Sequence, residues 1–142
     1  WITKLANSKP TDHKLQNHVI YWNLLSPNPS ETQLEEWLKE SKLHFKDVPG
    51  DLQFRVTASL ALLRKNLFAE ALITLEDSPG SPHRTNWKQV RTIWAYIYSI
   101  ALASNQRTEE YLSLQSTLDG RPTSKAEREA LALIFPNLFP QP

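Results

Sequence analysis

Where this chain can be helical is set by where it cannot. Proline stands at 10, 27, 29, 49, 79, 82, 122, 136, 140 and 142, and the three glycines, Gly50, Gly80 and Gly120, fall among them. Proline removes a backbone donor and fixes φ, and glycine adopts backbone conformations closed to other residues, so both punctuate regular structure. They leave windows at 11–26, 30–48, 51–78, 83–119 and 123–135, each long enough for one or two helices. A count of 21 Leu against 4 Val and 7 Ile favours helix, because Leu keeps more rotamer freedom there than the β-branched pair. Three Gly are too few for the phosphate-cradling loops and hairpin turns of nucleotide-binding α/β folds and β-barrels. A chain of 142 residues, 40% hydrophobic, fits one domain with a core.

Every window shows helical spacing. Leu15, Val19, Trp22 and Leu25 recur at steps of 4, 3 and 3, with Ile20, Tyr21 and Leu24 widening the stripe. Ser30 and Gln33 form a capping box ahead of Leu34, Trp37, Leu38 and Phe45. Asp51 is placed to cap a helix carrying Phe54, Ala58, Ala61 and Leu62, which closes near Asn66, a residue that tolerates left-handed backbone. Phe68, Ala71, Leu72 and Leu75 define the next helix. Asn86 to Gln89 reads as a further capping box, opening a helix with Trp87, Val90, Trp94, Ile97 and Ala101, and Tyr111, Leu112 and Leu118 lie on its successor. Ser124 and Glu127 open the last helix, through Ala130, Leu131 and Ile134 to the stop at Pro136. The expectation is an all-α single domain over 1–142 with about seven helices. It comprises a first hairpin at 11–45, a second at 51–78, a third at 86–118, a capping helix at 123–135 and a tail at 136–142.

Sliding the chain by 40 residues aligns 59–82 with 99–122 and makes Ser59/Ser99, Ala61/Ala101, Leu62/Leu102, Glu70/Glu110, Leu72/Leu112, Gly80/Gly120 and Pro82/Pro122 identical. A period of about 35 to 40 residues suits stacked helical hairpins. In order, Ser59, Leu62, Asn66, Phe68, Ala71 and Leu75 resemble the tetratricopeptide-type unit: a small residue, a large apolar one, a turn, then Ala and a large apolar residue. Ser99, Leu102, Gln106, Thr108, Tyr111 and Gln115 hold the same places, with Tyr111 where that family has Ala. The resemblance covers 51–122 and implies an α-solenoid of antiparallel hairpins whose first helices line a concave face. On that face it places Gln53, Val56, Leu60, Leu63 and Arg64, then Ile93, Tyr96, Ile97, Ile100 and Ala103. Such a mainly apolar groove suits an amphipathic helix or hydrophobic segment. The family's clamps for peptide carboxylates rely on Lys, Arg and Asn, of which only Arg64 is present. The same residues are core instead if the first helix, the last helix or the 135–140 tail fills the groove.

Chemistry is sparse. Sixteen basic and fifteen acidic side chains leave a net charge of +1, which supplies no global field for nucleic acid or an anionic membrane. Without Cys there is no disulfide, thiol nucleophile or thiolate zinc site; the compartment stays open, and an exported or periplasmic domain fits. No apolar run approaches the roughly 18 to 20 residues of a membrane span. A chain that begins at Trp1 and contains no Met reads as a piece of a longer one. His13 and His18 lie about 140° apart around a helix and share no face, and His44 and His83 stand alone. Glu35-Glu36 and Glu109-Glu110 sit near helix starts, where carboxylates favour the dipole. With none of the familiar hydrolase, zinc, phosphate or calcium motifs present, no enzyme, cofactor or metal is expected. Arg84, Lys88 and Arg91 beside Trp87 and Trp94 give a narrow footing for single-stranded RNA. The expected function is a non-enzymatic protein-protein interaction or scaffold module, its partner a protein or peptide, another part of its own chain, or a second copy. A structural or oligomerising helical domain and an RNA-binding helical repeat are the alternatives. Changing Tyr96 and Ile100 together to Asp separates groove from core: lost binding with intact helicity marks a groove, and lost folding marks core.

Overall fold

A computed structural model describes residues 13–47, 51–76 and 85–136, and these residues form helices and turns with no strand among them. The seven helices among the described residues are α1 (His13–Leu24), α2 (Glu31–Asp47), α3 (Leu52–Arg64), α4 (Phe68–Leu75), α5 (Thr92–Ser104), α6 (Thr108–Leu118) and α7 (Lys125–Ile134). Pro49, Gly50, Pro79, Gly80, Pro82, His83, Arg84 and the end of the tail lie outside the described residues.

Several helix starts form as their sequences dictate. The Ser30 N–H donates to Gln33 Oε1 at 2.9 Å and the Gln33 N–H to Ser30 Oγ at 3.1 Å, both halves of a capping box. Asp51 Oδ1 accepts from the Gln53 N–H at 2.9 Å. Ser124 accepts from the Glu127 N–H at 3.4 Å, but the Glu127 carboxylate turns inward to other partners.

The turns after α3 and α5 are copies of one another. Asn66 and Gln106, 40 positions apart, both have φ 62°. The Leu67 N–H reaches back to Leu62 O at 2.9 Å, and the Arg107 N–H to Leu102 O at 3.0 Å. Asn66 and Gln106 likewise donate to Leu63 O and Ala103 O, each at 3.1 Å. This is the left-handed helix close in which a 6→1 bond satisfies an otherwise orphaned carbonyl. Each turn returns the chain at once into the second helix of the pair.

Helix α3 is buried throughout residues 54–63 and packs on α1, α2, α4 and α5. Its polar side chains find carbonyls. Ser59 Oγ donates to Ala71 O at 2.9 Å, joining α3 to α4 where both residues are small. At the equivalent crossing of α5 and α6, Gln115 Nε2 donates to Ser99 Oγ at 3.0 Å. The Arg55 guanidinium donates to Thr74 O and Leu75 O at 3.1 and 2.8 Å, closing the end of α4.

Three expectations need correction. Leu15 and Trp22 are exposed on α1, and the inward face runs through Asn17, Ile20, Tyr21 and Leu24. That face brings the Tyr21 hydroxyl to Glu127 and the Leu24 carbonyl to Arg64, partners supplied by distant sequence. Helix α5 begins at Thr92 rather than at 86, with a turn at 87–89 before it. The Trp87 and Tyr98 rings stack with centroids 4.3 Å apart, whereas eleven residues of continuous helix would separate their backbones by about 16 Å. Leu112 is 58% exposed although its repeat counterpart Leu72 is 7% exposed. Helix α4 packs between α3 and α5, while α6 lies against α5 with no following hairpin.

The two left-handed positions yield a stability prediction. Gln106→Gly relieves a conformation costly for a long side chain and stabilises the fold by about 1 kcal/mol, while Asn66→Gly gains less; urea unfolding measures both. Ala71→Leu, at the tight crossing, destabilises by about 1 to 3 kcal/mol through overpacking.

Candidate functional site

Most of the residues expected on a concave surface lie in the core. Val56, Leu60, Leu63, Ile93, Tyr96, Ile97 and Ile100 are no more than 2% exposed and join one hydrophobic core. Gln53, Arg64 and Ala103 are half-buried, and Arg64 donates to the carbonyls of Leu24 and Ser26 at the end of α1. Burial lowers the Arg64 pKa from its ordinary value. Seven of the ten residues therefore share one core and present no free surface to a partner.

Helices α1 and α7 meet at this core. The Glu127 side chain is 4% exposed, accepts from the Tyr21 hydroxyl, and lies 3.0 Å from Arg91 Nη2. One buried carboxylate thus joins α1, the start of α5 and α7. Beside it, the Arg128 guanidinium lies over the Tyr96 ring, 5.8 Å from the centroid, and Leu131 is fully buried. The Tyr21 hydroxyl ionises well above the usual phenol range, first because it is buried and then because the neighbouring carboxylate opposes a second negative charge.

The remaining chemical candidates disperse. His44 is buried with its ring 6.0 Å from Phe54, and His18 meets Trp22 edge to face at 6.3 Å. Arg91 is engaged by Glu127 and lies over Trp94 at 5.3 Å, while Lys88 belongs to the preceding turn. Among the described residues, no group of three or more His, Cys, Asp or Glu is arranged to hold a metal ion. None of their helices is long and apolar enough to cross a membrane.

Two open grooves lie elsewhere, and no hydrophobic pattern on a single helix pointed to either. The first, ≈ 530 Å³, runs between Lys42, Phe45 and Lys46 of α2 and Glu70, Ile73 and Thr74 of α4, over Ala58 and Leu62 of α3. The second, ≈ 590 Å³, is bounded by residues 85–88, by Tyr98 and Leu102 of α5, and by α6. The two are repeat counterparts: 58, 62, 70, 73 and 74 in one become 98, 102, 110, 113 and 114 in the other. The 40-residue offset that aligns the sequence with itself therefore also aligns the grooves. Near the second, burial and then the Glu76 carboxylate push the Tyr98 hydroxyl up to about 12. Glu76 and Glu110 both hold Arg107, at 2.8 and 2.6 Å, and this contact raises the guanidinium pKa while lowering that of Glu110.

Comparison with protein-family models, curated proteins and solved structures finds no match.

The clasp at Glu127 gives two measurable outcomes. Tyr21→Phe removes a donor to a buried carboxylate and costs about 1 to 3 kcal/mol, read by chemical denaturation. Tyr21 and Tyr98 ionise more readily unfolded than folded, so the unfolded chain binds fewer protons at alkaline pH. Their contribution is complete below about pH 10 and fades as pH rises through the folded values. Tyr21→Phe makes the alkaline loss of stability shallower, which stability measurements across that range register.

Proposed function

We propose that the chain is a stack of antiparallel helix hairpins of the tetratricopeptide-like kind, working as a non-enzymatic protein-binding or scaffold module. The pairing of α1 with α2, α3 with α4 and α5 with α6 supports the stack, as do the contacts from α1 to α3 and from α3 to α5. The duplicated turns at Asn66 and Gln106 support the repeat. With most of its inner residues buried, the module takes a partner segment in the open grooves that border α4 and α6. The observation that carries this reading is the recurrence of one groove at repeat-equivalent positions. Grooves of this kind are apolar enough to gain from burial and carry charged edges that select what enters.

A second reading has its own support. Leu112 and Leu133 are 58% and 68% exposed, and apolar side chains at the end of a repeat array favour association with another copy or with further polypeptide.

Selection of peptides from a random display library separates these readings. The module predicts binders whose affinity Ile73→Asp in α4 removes without loss of helicity, while Leu133→Asp in α7 leaves it unchanged. Peptide binding insensitive to Ile73, or a concentration-dependent dimer in light scattering that takes up no peptide, contradicts it.

A further inference from the structure

The two repeat-related grooves differ in their walls and floor, and the difference describes a ligand. In the second groove the chain's own non-helical segment 85–88 lies against α5, with Trp87 stacked on Tyr98 at 4.3 Å and 13°. The Arg121 guanidinium fastens this segment by donating to Lys88 O at 2.6 Å. The second groove thus has as one wall a turn of the chain that presents a large aromatic side chain to α5. In the first groove, Ala58 replaces Tyr98 at the equivalent floor position. Exchanging a phenol for a methyl group leaves a recess above Leu62, walled by Phe45 and by Ile73, which is 71% exposed.

Charge then sets the polarity of the visitor. In the second groove the segment's Lys88 shares the site with Glu109 and Glu110, so a basic segment lies against an acidic edge. In the first, position 69, the counterpart of Glu109, is Ala, and α2 adds Lys42 and Lys46 to the rim. Lys42 reaches Glu70 only at 3.6 Å with both side chains more than half exposed, an ion pair of small worth that a competing carboxylate can replace. Lys46 is exposed at the same rim. The edge charge is reversed relative to the second groove, and the complementary segment is acidic.

We infer that the groove between α2 and α4 receives a large aromatic side chain, flanked by carboxylates, from a non-helical segment of a partner protein. This rests on the reading of these grooves as docking sites and adds the chemistry of the occupant. Lys42 and Lys46 meet the flanking carboxylates, and the ring enters the recess over Ala58 and Leu62 against Phe45 and Ile73.

Amide chemical shifts of the intact chain, titrated with three capped tripeptides, test this. Acetyl-Asp-Trp-Asp-amide is expected to shift Ala58, Leu62, Ile73 and Thr74. Acetyl-Lys-Trp-Lys-amide should bind the same groove about fivefold more weakly, the size expected of exposed charge pairs. Acetyl-Asp-Ala-Asp-amide should give no shifts there. Lys46→Glu, at an exposed position, should narrow or reverse the preference between the two Trp peptides. Equal binding of those peptides, equal binding of the Ala peptide, shifts confined to other surfaces, or self-association that closes the groove each overturn the proposal. Library peptides that depend on Ile73 but carry neither an aromatic nor an acidic residue would overturn this inference and leave the docking function standing. Absence of any Ile73-dependent peptide removes both.

Discussion

The burial of α3 on every side is the constraint on which the rest depends. Residues 54–63 include Arg55, Thr57 and Ser59, and polar groups withdrawn from water are costly unless paired. Arg55 finds the carbonyls that end α4, Ser59 finds Ala71 O, and Thr57 Oγ1 donates to Gln53 O at 3.1 Å. Arg55 and Ser59 therefore position the backbone of α4, while Thr57 bonds within α3 itself. Burial of α3 fixes where α4 ends and how closely it crosses. Its final residue, Arg64, then ties α1 in place.

The inner and outer surfaces consequently differ in how completely they are filled. Tyr21, Glu127 and Arg91 draw α1, α5 and α7 together over the apolar row of α5, and Tyr96 donates to Leu118 O at 3.4 Å. Ile93, Ile97 and Ile100 lie in the same core. On the other side, α2 and α4 each pack on α3 and leave a channel between them. Interior burial supplies stability, and the outer channels remain incompletely filled.

Much of the fold was legible because it rests on local chemistry. Ser30, Gln33, Asp51 and Asn66 act through bonds that span a few residues, so their roles follow from the sequence alone. Asn66 and Gln106, matched in the 40-residue alignment, close turns of the same form. What escaped was set by distant partners. The start of α5 yields to the stacking of Trp87 on Tyr98, and the inward face of α1 follows a carboxylate more than 100 residues away. Most of the residues read as a concave face are buried, a fate that an apolar stripe on one helix does not distinguish from an open groove. The outer grooves escaped because each is assembled from three elements, with only Ala58 against Tyr98 to mark the difference.

Native-state hydrogen exchange asks most directly whether the inner face is interior and the outer side the working surface. Amides of residues 54–63 and 96–100 should exchange only through global unfolding, with a free energy equal to that from denaturant. The inner helices and the clasp then form one cooperative unit. Exchange of residues 96–100 through a low-energy opening, while residues 54–63 stay protected, would show that α7 leaves the inner face readily and that this face is the groove.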